Sequence, residues 1–195
     1  MNEGTADRDV LGVILAGGES RRYGGRPKAL VPVGGKRIAD RAIGAMREAA
    51  GRVVVVANDP DTFGALGLPI RPDLRPGLGA LGGIYTAVSW AGDVGCRGAL
   101  VAACDMPFLS SGLLKRLAEG AGPDEAVVPG SNSHRGLEPL CAYYGTGCRD
   151  AIEEALQRGD RAVISFFDAV QLRVIPADEV AEFGDESLLF LNVNT

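Results

Sequence analysis

The 195-residue chain has few of the residues that several kinds of site require. It has one histidine, one tryptophan and four cysteines, and aromatic residues make up 6% of the sequence. The cysteines form no Cys-x-x-Cys pair, so neither a zinc site nor a disulfide framework is expected. We interpret Cys96, Cys104, Cys141 and Cys148 as reduced, mostly buried thiols of a cytoplasmic protein.

Long apolar runs and an excess of positive charge are also absent. No stretch approaches the roughly 20 apolar residues of a membrane span, and the polar segment 1–9 has no apolar core of the kind that a secretory signal needs. The 20 Lys and Arg residues against 25 Asp and Glu residues leave a net charge of −5. This balance argues against a general nucleic-acid or membrane-surface binder, and we expect neither partner.

The chain does have the alternation that is typical of an α/β domain. The prediction is a polar tail over residues 1–9 and a single domain over residues 10–195, with a mostly parallel, Rossmann-like sheet and helices on both faces. Strands are predicted at 10–15, 53–57, 99–103, 126–129, 140–144, 170–175 and 188–193, and helices at 38–49, 81–90, 110–119 and 146–157.

A loop rich in glycine and arginine follows the first predicted strand. Residues 17–28 contain four glycines, three arginines and one lysine. Backbone N–H groups of Gly17 and Gly18, with fixed cations such as Arg22 and Lys28, are what a polyphosphate needs. The alternative is a surface loop with solvated arginines. Because open parallel sheets bind ligands at the carboxyl ends of their strands, the position of the loop favours phosphate binding.

Two other strand ends carry polar side chains. Asp105 is well placed to hold Mg²⁺, which commonly binds one or two carboxylates together with phosphates and water. Its alternative role is that of a turn or helix-cap residue ahead of Ser110. Asn192 and Asn194 share one face of the last predicted strand, where two amides either bind a ligand or close a turn. A phosphate loop on a neighbouring strand favours the metal role of Asp105.

One glycine pattern points to a cofactor that the rest of the sequence does not support. Gly77, Gly79 and Gly82 match the dinucleotide fingerprint G-x-G-x-x-G. They follow a segment that contains Pro72 and Pro76, a poor ending for a central strand. We therefore expect neither NAD nor FAD at this loop.

Taken together, these segments resemble the molybdenum cofactor guanylyltransferase family of MobA-like nucleotidyltransferases. The motifs that carry the resemblance are, in chain order, Leu15-Ala16-Gly17-Gly18-x-Ser20-x-Arg22-x-Gly24-x-x-x-Lys28, Asn58, Pro76–Ile84, Cys104-Asp105-Met106-Pro107, Leu137–Tyr143 and Phe190–Thr195. The likeness runs in the same order from Val10 to the last residue. One departure is Pro27, which stands where the family usually has an acidic residue.

The resemblance implies a Mg²⁺-dependent transfer of GMP from GTP to the terminal phosphate of molybdopterin, with release of pyrophosphate. It implies these roles: Gly17, Gly18, Arg22 and Lys28 on the triphosphate, Asp105 on Mg²⁺, Leu15, Ala16, Asn58 and Asp73 at the nucleotide, and Arg161, Asn192 and Asn194 on the side of the second substrate. Arg22, Lys28 and Asp105 are the implied catalytic residues.

Two alternatives stay open from the sequence. One is a related nucleotidyltransferase that uses CTP or a different phosphate acceptor. The other is a non-catalytic guanine-nucleotide-binding protein that delivers the cofactor, although pure binding would not require both a phosphate clamp and a metal carboxylate. The implied protein partners are molybdopterin-handling proteins and apo-molybdoenzymes.

Overall fold

Nine strands and seven helices make up the part of the chain that the structure describes. The structure is a computed structural model that covers residues 6–16, 27–132 and 136–191, with the backbone alone at Lys28 and Val33. The strands are β1 (Asp7–Leu15), β2 (Pro32–Val33), β3 (Lys36–Arg37), β4 (Ala50–Val56), β5 (Ile70–Arg71), β6 (Gly98–Ala103), β7 (Glu125–Pro129), β8 (Cys141–Gly145) and β9 (Gln171–Ile175).

The helices connect these strands. They are α1 (Ile38–Ala49), α2 (Pro60–Phe63), α3 (Gly79–Asp93), α4 (Ser111–Ala118), α5 (Cys148–Gln157), α6 (Ala177–Ala181) and α7 (Glu186–Leu189), and short 3-10 helices lie at Lys28–Leu30, Gly64–Leu66 and Val163–Ala169. Within the described ranges, no helix combines the length and the apolar character that crossing a membrane requires.

The main sheet has seven strands in the order β5-β4-β1-β6-β8-β7-β9. β1 lies near its centre and pairs in parallel with β4 and β6, with Leu15 opposite both Val56 and Ala103. Only β8 runs against the others, since it is antiparallel to both β6 and β7. The prediction of a mostly parallel sheet is confirmed. Six strands therefore end at the same edge of the sheet, which we call the carboxyl edge.

Two apolar layers cover the two faces of the sheet. Because side chains alternate along a strand, Val10 and Ile14 of β1 pack toward α1 and α4, whereas Val13 and Leu15 pack toward α3 and α5. The same alternation sends Tyr143 into the first layer and Tyr144 into the second, and both are fully buried. The predicted helices on both faces are confirmed.

The predicted strand over 188–193 is wrong where the structure describes it. Residues Glu186–Leu189 form α7, and the carboxylate of Asp185 caps this helix by accepting a hydrogen bond from the backbone N–H of Ser187 at 2.9 Å. Leu188 in α7 and Leu191, two residues past the end of this helix, are both exposed. An aspartate cap with a short apolar run favoured a helical turn over a strand.

Two further differences concern the first part of the chain. β1 begins at Asp7, so the last three residues assigned to a polar tail already belong to the sheet, and Asp7 lies opposite Ala50. Where only a loop was expected, β2 and β3 form a hairpin. Its turn residues Gly34 and Gly35 have φ of 58° and 80°, the left-handed conformation that such two-residue turns need.

Candidate active site

The carboxyl edge brings together predicted site residues from four neighbouring strands. Asp73 follows β5, Asn58 follows β4, Ala16 follows β1 and Asp105 follows β6. Adjacent strands lie about 4.8 Å apart, so these four strand ends span about 15 Å. The sequence separates these residues by up to 89 positions (105 minus 16), and the parallel topology makes them neighbours.

Backbone hydrogen bonds continue between the strands just past their last paired residues. The bonds are Ala16 N–H to Val56 O at 2.8 Å, Cys104 N–H to Leu15 O at 3.0 Å and Ala57 N–H to Arg71 O at 3.0 Å. These bonds hold the beginnings of the loops in register. The residues that follow are therefore placed by the sheet and not by the loops alone.

Asn58 and Asp73 form a closed pair of hydrogen bonds. The Asn58 amide donates from Nδ2 to Asp73 Oδ2 at 2.7 Å, and the backbone N–H of Asp73 donates to Asn58 Oδ1 at 2.9 Å. Asn58 is exposed and Asp73 is half-buried. Their mutual bonds fix the orientation of the Asp73 carboxylate.

The second carboxylate oxygen of Asp73 is a buried acceptor without a partner. Oδ1 makes no hydrogen bond. A side chain at Gly83 in α3 would place its Cβ 3.8 Å from this oxygen and 3.3 Å from Leu15 Cδ2, so the missing side chain leaves space between them. Burial raises the pKa of Asp73, and the hydrogen bond from Asn58 opposes that rise. A ligand that donates a hydrogen bond to Oδ1 would satisfy it.

Asp105 lies in a turn directly after β6 and is half-buried. Ser110, not Asp105, caps α4, because Ser110 Oγ accepts the N–H of Leu113 at 3.4 Å. Burial, with a smaller contribution from the charge of Asp105, raises the pKa of the Cys104 thiol to about 12. The thiol next to Asp105 is therefore protonated near neutral pH and is not a nucleophile.

The donor chemistry of Asp105 fits Mg²⁺ but not a metal centre made by the protein alone. In residues 6–16, 27–132 and 136–191, no group of three or more His, Cys, Asp or Glu side chains is arranged to hold a metal ion. Mg²⁺ usually takes one or two carboxylates and completes its shell with phosphate oxygens and water. A single carboxylate near the predicted phosphate loop is compatible with that kind of coordination.

Several predicted site residues lie outside the described residues. These are Gly17, Gly18, Arg22, Asn192 and Asn194, and the structure describes only the backbone of Lys28, at the start of a 3-10 helix. Their contacts to phosphate or to a second substrate stay predictions. Ala16, at the end of β1, is buried and leads directly into the glycine loop.

Arg161 reaches the loop that precedes α3. Its Nη1 donates to the carbonyl oxygen of Gly77 at 2.7 Å, and its side chain is exposed. The structure thus joins Arg161 to Gly77, which lies 84 positions earlier in the chain, in the segment that follows Asp73. Its assignment to the second substrate stays a prediction.

The sequence did not predict one group of interacting residues near Asp73. Arg75 pairs with Glu153 of α5, and the hydroxyl of Tyr85 in α3 donates to the same carboxylate. Arg149 of α5 in turn donates to the Tyr85 hydroxyl oxygen. Arg149 and Glu153 are four residues apart on a helix, which is a visible signal. The partner Arg75 lies 78 positions away, and no local pattern could connect it to Glu153.

Comparison with known proteins supplies the family. The sequence matches the MobA-like NTP transferase domain over residues 12–173, most of the chain. The chain belongs to this family. A family of NTP transferases catalyses nucleotidyl transfer, so this MobA-like NTP transferase is an enzyme of the nucleotidyltransferase class, and the family resemblance drawn from the motifs is confirmed.

Two relatives match nearly the whole chain. A protein of Pelotomaculum thermopropionicum named "Probable molybdenum cofactor guanylyltransferase" is 38% identical over 186 residues, which cover 95% of this chain and 88% of the relative. The "Molybdenum cofactor guanylyltransferase" of Desulfosudis oleivorans is 33% identical over 187 residues, covering 95% of this chain and 90% of the relative.

A solved structure shows the same fold. The crystal structure of molybdopterin-guanine dinucleotide biosynthesis protein A from Archaeoglobus fulgidus superimposes with a TM-score of 0.75 at 28% sequence identity. The match covers 95% of this chain and 92% of the other. The seven-stranded sheet and its helices therefore have the arrangement of a nucleotidyltransferase.

Proposed function

We propose that this MobA-like NTP transferase transfers GMP from GTP to the terminal phosphate of molybdopterin and releases pyrophosphate. The names of its relatives support the substrates. The observation that carries the proposal is the buried, unpartnered Oδ1 of Asp73, oriented by Asn58 next to Leu15 and on the same edge as Asp105. This edge combines an acceptor for a nucleoside with a carboxylate for a metal bound to phosphates.

Asp73 is the residue that we propose for selection of guanosine. An ionised carboxylate only accepts hydrogen bonds, and guanine carries an amino donor, N2–H₂, that adenine lacks. A base whose donors do not reach Oδ1 would leave this oxygen buried and unpaired, which costs free energy. Leu15 and Asn58 complete the proposed guanosine contacts, and Ala16 lies where the nucleoside meets the glycine loop.

The proposed reaction forms one phosphorus–oxygen bond and breaks another. An oxygen of the terminal phosphate of molybdopterin attacks the α-phosphorus of GTP, and the bond from that phosphorus to the oxygen bridging to the β-phosphate breaks, so that pyrophosphate leaves. Phosphate monoesters have a second pKa near 6, so the attacking oxygen is already anionic and needs no general base. Catalysis then depends on alignment and on reducing repulsion between anions.

To reduce the repulsion between the phosphates, this chain would contribute backbone N–H groups and fixed positive charge. Gly17 and Gly18 N–H groups, with Arg22 and Lys28, are the proposed ligands of the triphosphate. Mg²⁺ is the proposed cofactor with Asp105 as its ligand, and when bound it would neutralise phosphate charge. We keep Arg161, Asn192 and Asn194 as the proposed acceptor side.

The proposal extends to the cellular setting. Molybdopterin-handling proteins and apo-molybdoenzymes are the expected partners, and the cytoplasm is the expected location. A nucleotide-binding protein that only delivers the cofactor would bind GTP without releasing pyrophosphate, which separates that alternative from the enzyme.

The deciding experiment measures transfer of α-labelled guanylate from GTP to molybdopterin, with and without Mg²⁺, beside parallel reactions with CTP and ATP. We expect label in the dinucleotide and pyrophosphate from GTP only, and only with the metal. Pyrophosphate from CTP but not from GTP would contradict the assignment of the base. Binding of GTP without any pyrophosphate would contradict enzymatic transfer.

A further inference from the structure

The loop over residues 72–78, between β5 and α3, has no regular secondary structure. Several side-chain hydrogen bonds and one ion pair hold it in place, and we call these contacts ties. It carries Asp73, whose buried and unpartnered oxygen makes the carboxylate costly to hold in place. The ties are Asn58 to Asp73, the Leu74 N–H to Thr86 Oγ1 at 2.9 Å, Arg75 to Glu153, and Arg161 to the Gly77 carbonyl. Of these, the Arg75 tie alone joins the loop to α5 by an ion pair.

The Arg75 tie uses both oxygens of Glu153. Arg75 Nη2 pairs with Oε1, and Tyr85 OH donates to Oε2 at 3.1 Å. The Arg75 guanidinium also lies 5.3 Å from the centre of the Tyr85 ring, close enough for a cation–π contact. The side chains of Arg75 and Glu153 are only 35% and 27% exposed, so solvent screens the pair less than it screens a pair on the open surface.

The position of the tie connects it to nucleotide recognition. Arg75 lies two residues after Asp73 in the same loop, so the ion pair with α5 restrains the backbone close to the carboxylate. Desolvation favours movement of the Asp73 carboxylate toward water, because a charged group with one unpartnered oxygen is costly when buried. The ion pair with α5 opposes that movement.

We propose that Arg75 and Glu153, packed on Tyr85, are a positioning pair that holds the loop of Asp73 in the conformation that binds guanosine. This inference rests on the proposed function. The pair acts through Asp73 and is not itself proposed to contact substrate. Its loss therefore weakens GTP binding and base selection but leaves turnover at saturating GTP nearly unchanged.

The test compares Arg75→Ala and Glu153→Ala with Arg116→Ala as the matched control. Arg116 forms an ion pair with Glu179 at 2.5 Å between α4 and α6, with side chains 29% and 32% exposed. Arg116 lines the same surface pocket as Asp7, which lies at the start of β1 and so at the opposite end of that strand from Ala16. For the two test variants we expect the KM for GTP to rise about tenfold with kcat within about twofold. The control leaves both constants at wild-type values.

A second measurement needs no nucleotide. Hydrogen exchange of the Leu74 amide, which is protected by Thr86, rises in Arg75→Ala and not in Arg116→Ala. Arg75→Lys keeps the charge but loses the planar fork, and its KM falls between those of wild type and Arg75→Ala. The charge exchange Arg75→Glu with Glu153→Arg lowers the KM below that of either alanine variant.

The outcomes separate this inference from the function on which it rests. An unchanged KM in Arg75→Ala, with or without faster exchange, overturns the positioning role, and so does an equal loss in Arg116→Ala. If wild type uses CTP instead of GTP, the proposed function falls. The positioning role then stands when Arg75→Ala raises both exchange and the KM for CTP, and falls when it does not.

Discussion

Asp7 and Asp73 lie at opposite ends of the parallel strands and have opposite electrostatic surroundings. At the start of β1, both oxygens of Asp7 accept hydrogen bonds from Arg97, at 3.1 and 2.7 Å, and this guanidinium lowers the pKa of Asp7. Past the end of β5, burial raises the pKa of Asp73, and one of its oxygens has no partner.

At the amino edge of the sheet, where the parallel strands begin, the charge of Asp7 is balanced by Arg97. Arg97 also donates to the carbonyl oxygens of Ala118 and Ala121, at 3.0 and 2.9 Å, and so joins β1 to the end of α4. A carboxylate whose charge is balanced inside the protein stabilises the fold, whereas one left unbalanced beside a space indicates a ligand site. This contrast is the reason that we propose Asp73, and not Asp7, as a residue of the nucleotide site.

The largest effect is expected at Asp105. Replacing it by alanine removes the proposed metal ligand, so we expect guanylyl transfer to fall by about 10²-fold or more with the fold retained. Pyrophosphate release and circular dichroism measure the two properties. Lys28→Ala should lower guanylyl transfer to a similar extent, because the sequence predicts that Lys28 binds the triphosphate. Wild-type turnover in Asp105→Ala would contradict the metal role.

Arg97→Ala tests the amino edge. It removes four hydrogen bonds and leaves Asp7 without its cation, so we expect the free energy of unfolding to fall by about 2 kcal/mol. Urea denaturation measures this loss. The KM for GTP should stay at its wild-type value in the folded protein, and a raised KM would show that the two edges are not independent.

The same substitution at both carboxylates sharpens the contrast. Asp73→Asn exchanges an acceptor for a donor, so we expect the KM for GTP to rise about tenfold, while relief of the buried charge raises the free energy of unfolding by up to about 1 kcal/mol. Asp7→Asn should lower stability and leave the KM unchanged. Steady-state kinetics and urea denaturation of both variants decide the matter, and a loss of stability in Asp73→Asn would contradict the description of that site.

The smallest expected effect is the pH dependence of the difference in free energy of unfolding between each aspartate variant and wild type. The folded pKa of Asp7 lies below its unfolded value of about 3.9, so its contribution is complete above that value and is lost as pH falls through the folded pKa. The folded pKa of Asp73 is raised, so its ionisation costs stability above that pKa, and protonation removes the cost.

Both aspartate variants should therefore approach wild-type stability in acid, Asp7→Asn from below and Asp73→Asn from above. We expect the differences to be under about 1 kcal/mol, because solvent screens partly exposed carboxylates. Urea denaturation at pH 7 and near pH 3 measures them. A difference that grows in acid would show that the charge of the aspartate is not its cause.

Local patterns predicted much of the scaffold. The apolar runs of β1 and β4 indicated strands because a strand covered on both faces is apolar at successive positions. Apolar residues at helical spacing indicated α1 and α4, because burial of one helix face imposes a period of about 3.6 residues. The apolar run from Leu188 was misread because four residues are too few to distinguish the two periods. The Asp185 cap was the signal that could have corrected it.

The candidate site was only partly predictable. Asp105 stands out as an acidic residue after an apolar strand, and its position at the carboxyl edge follows from that pattern. Asn58 and Asp73 came from family resemblance, because an asparagine and an aspartate in loops have many structural roles. Arg75 and Glu153 could not be paired, since their contact depends on how α5 packs beside α3.

The amino-acid sequence alone determined most of the strands and helices along the chain and the chemical groups that follow each strand. It could do so because hydrophobic periodicity and turn chemistry act between residues that are close in the sequence. Which aspartate obtains a cation, and which keeps a buried oxygen unpaired, was set by folding. The charge environment of a carboxylate depends on burial and on groups from remote segments, such as Arg97 for Asp7 and Gly83 for Asp73.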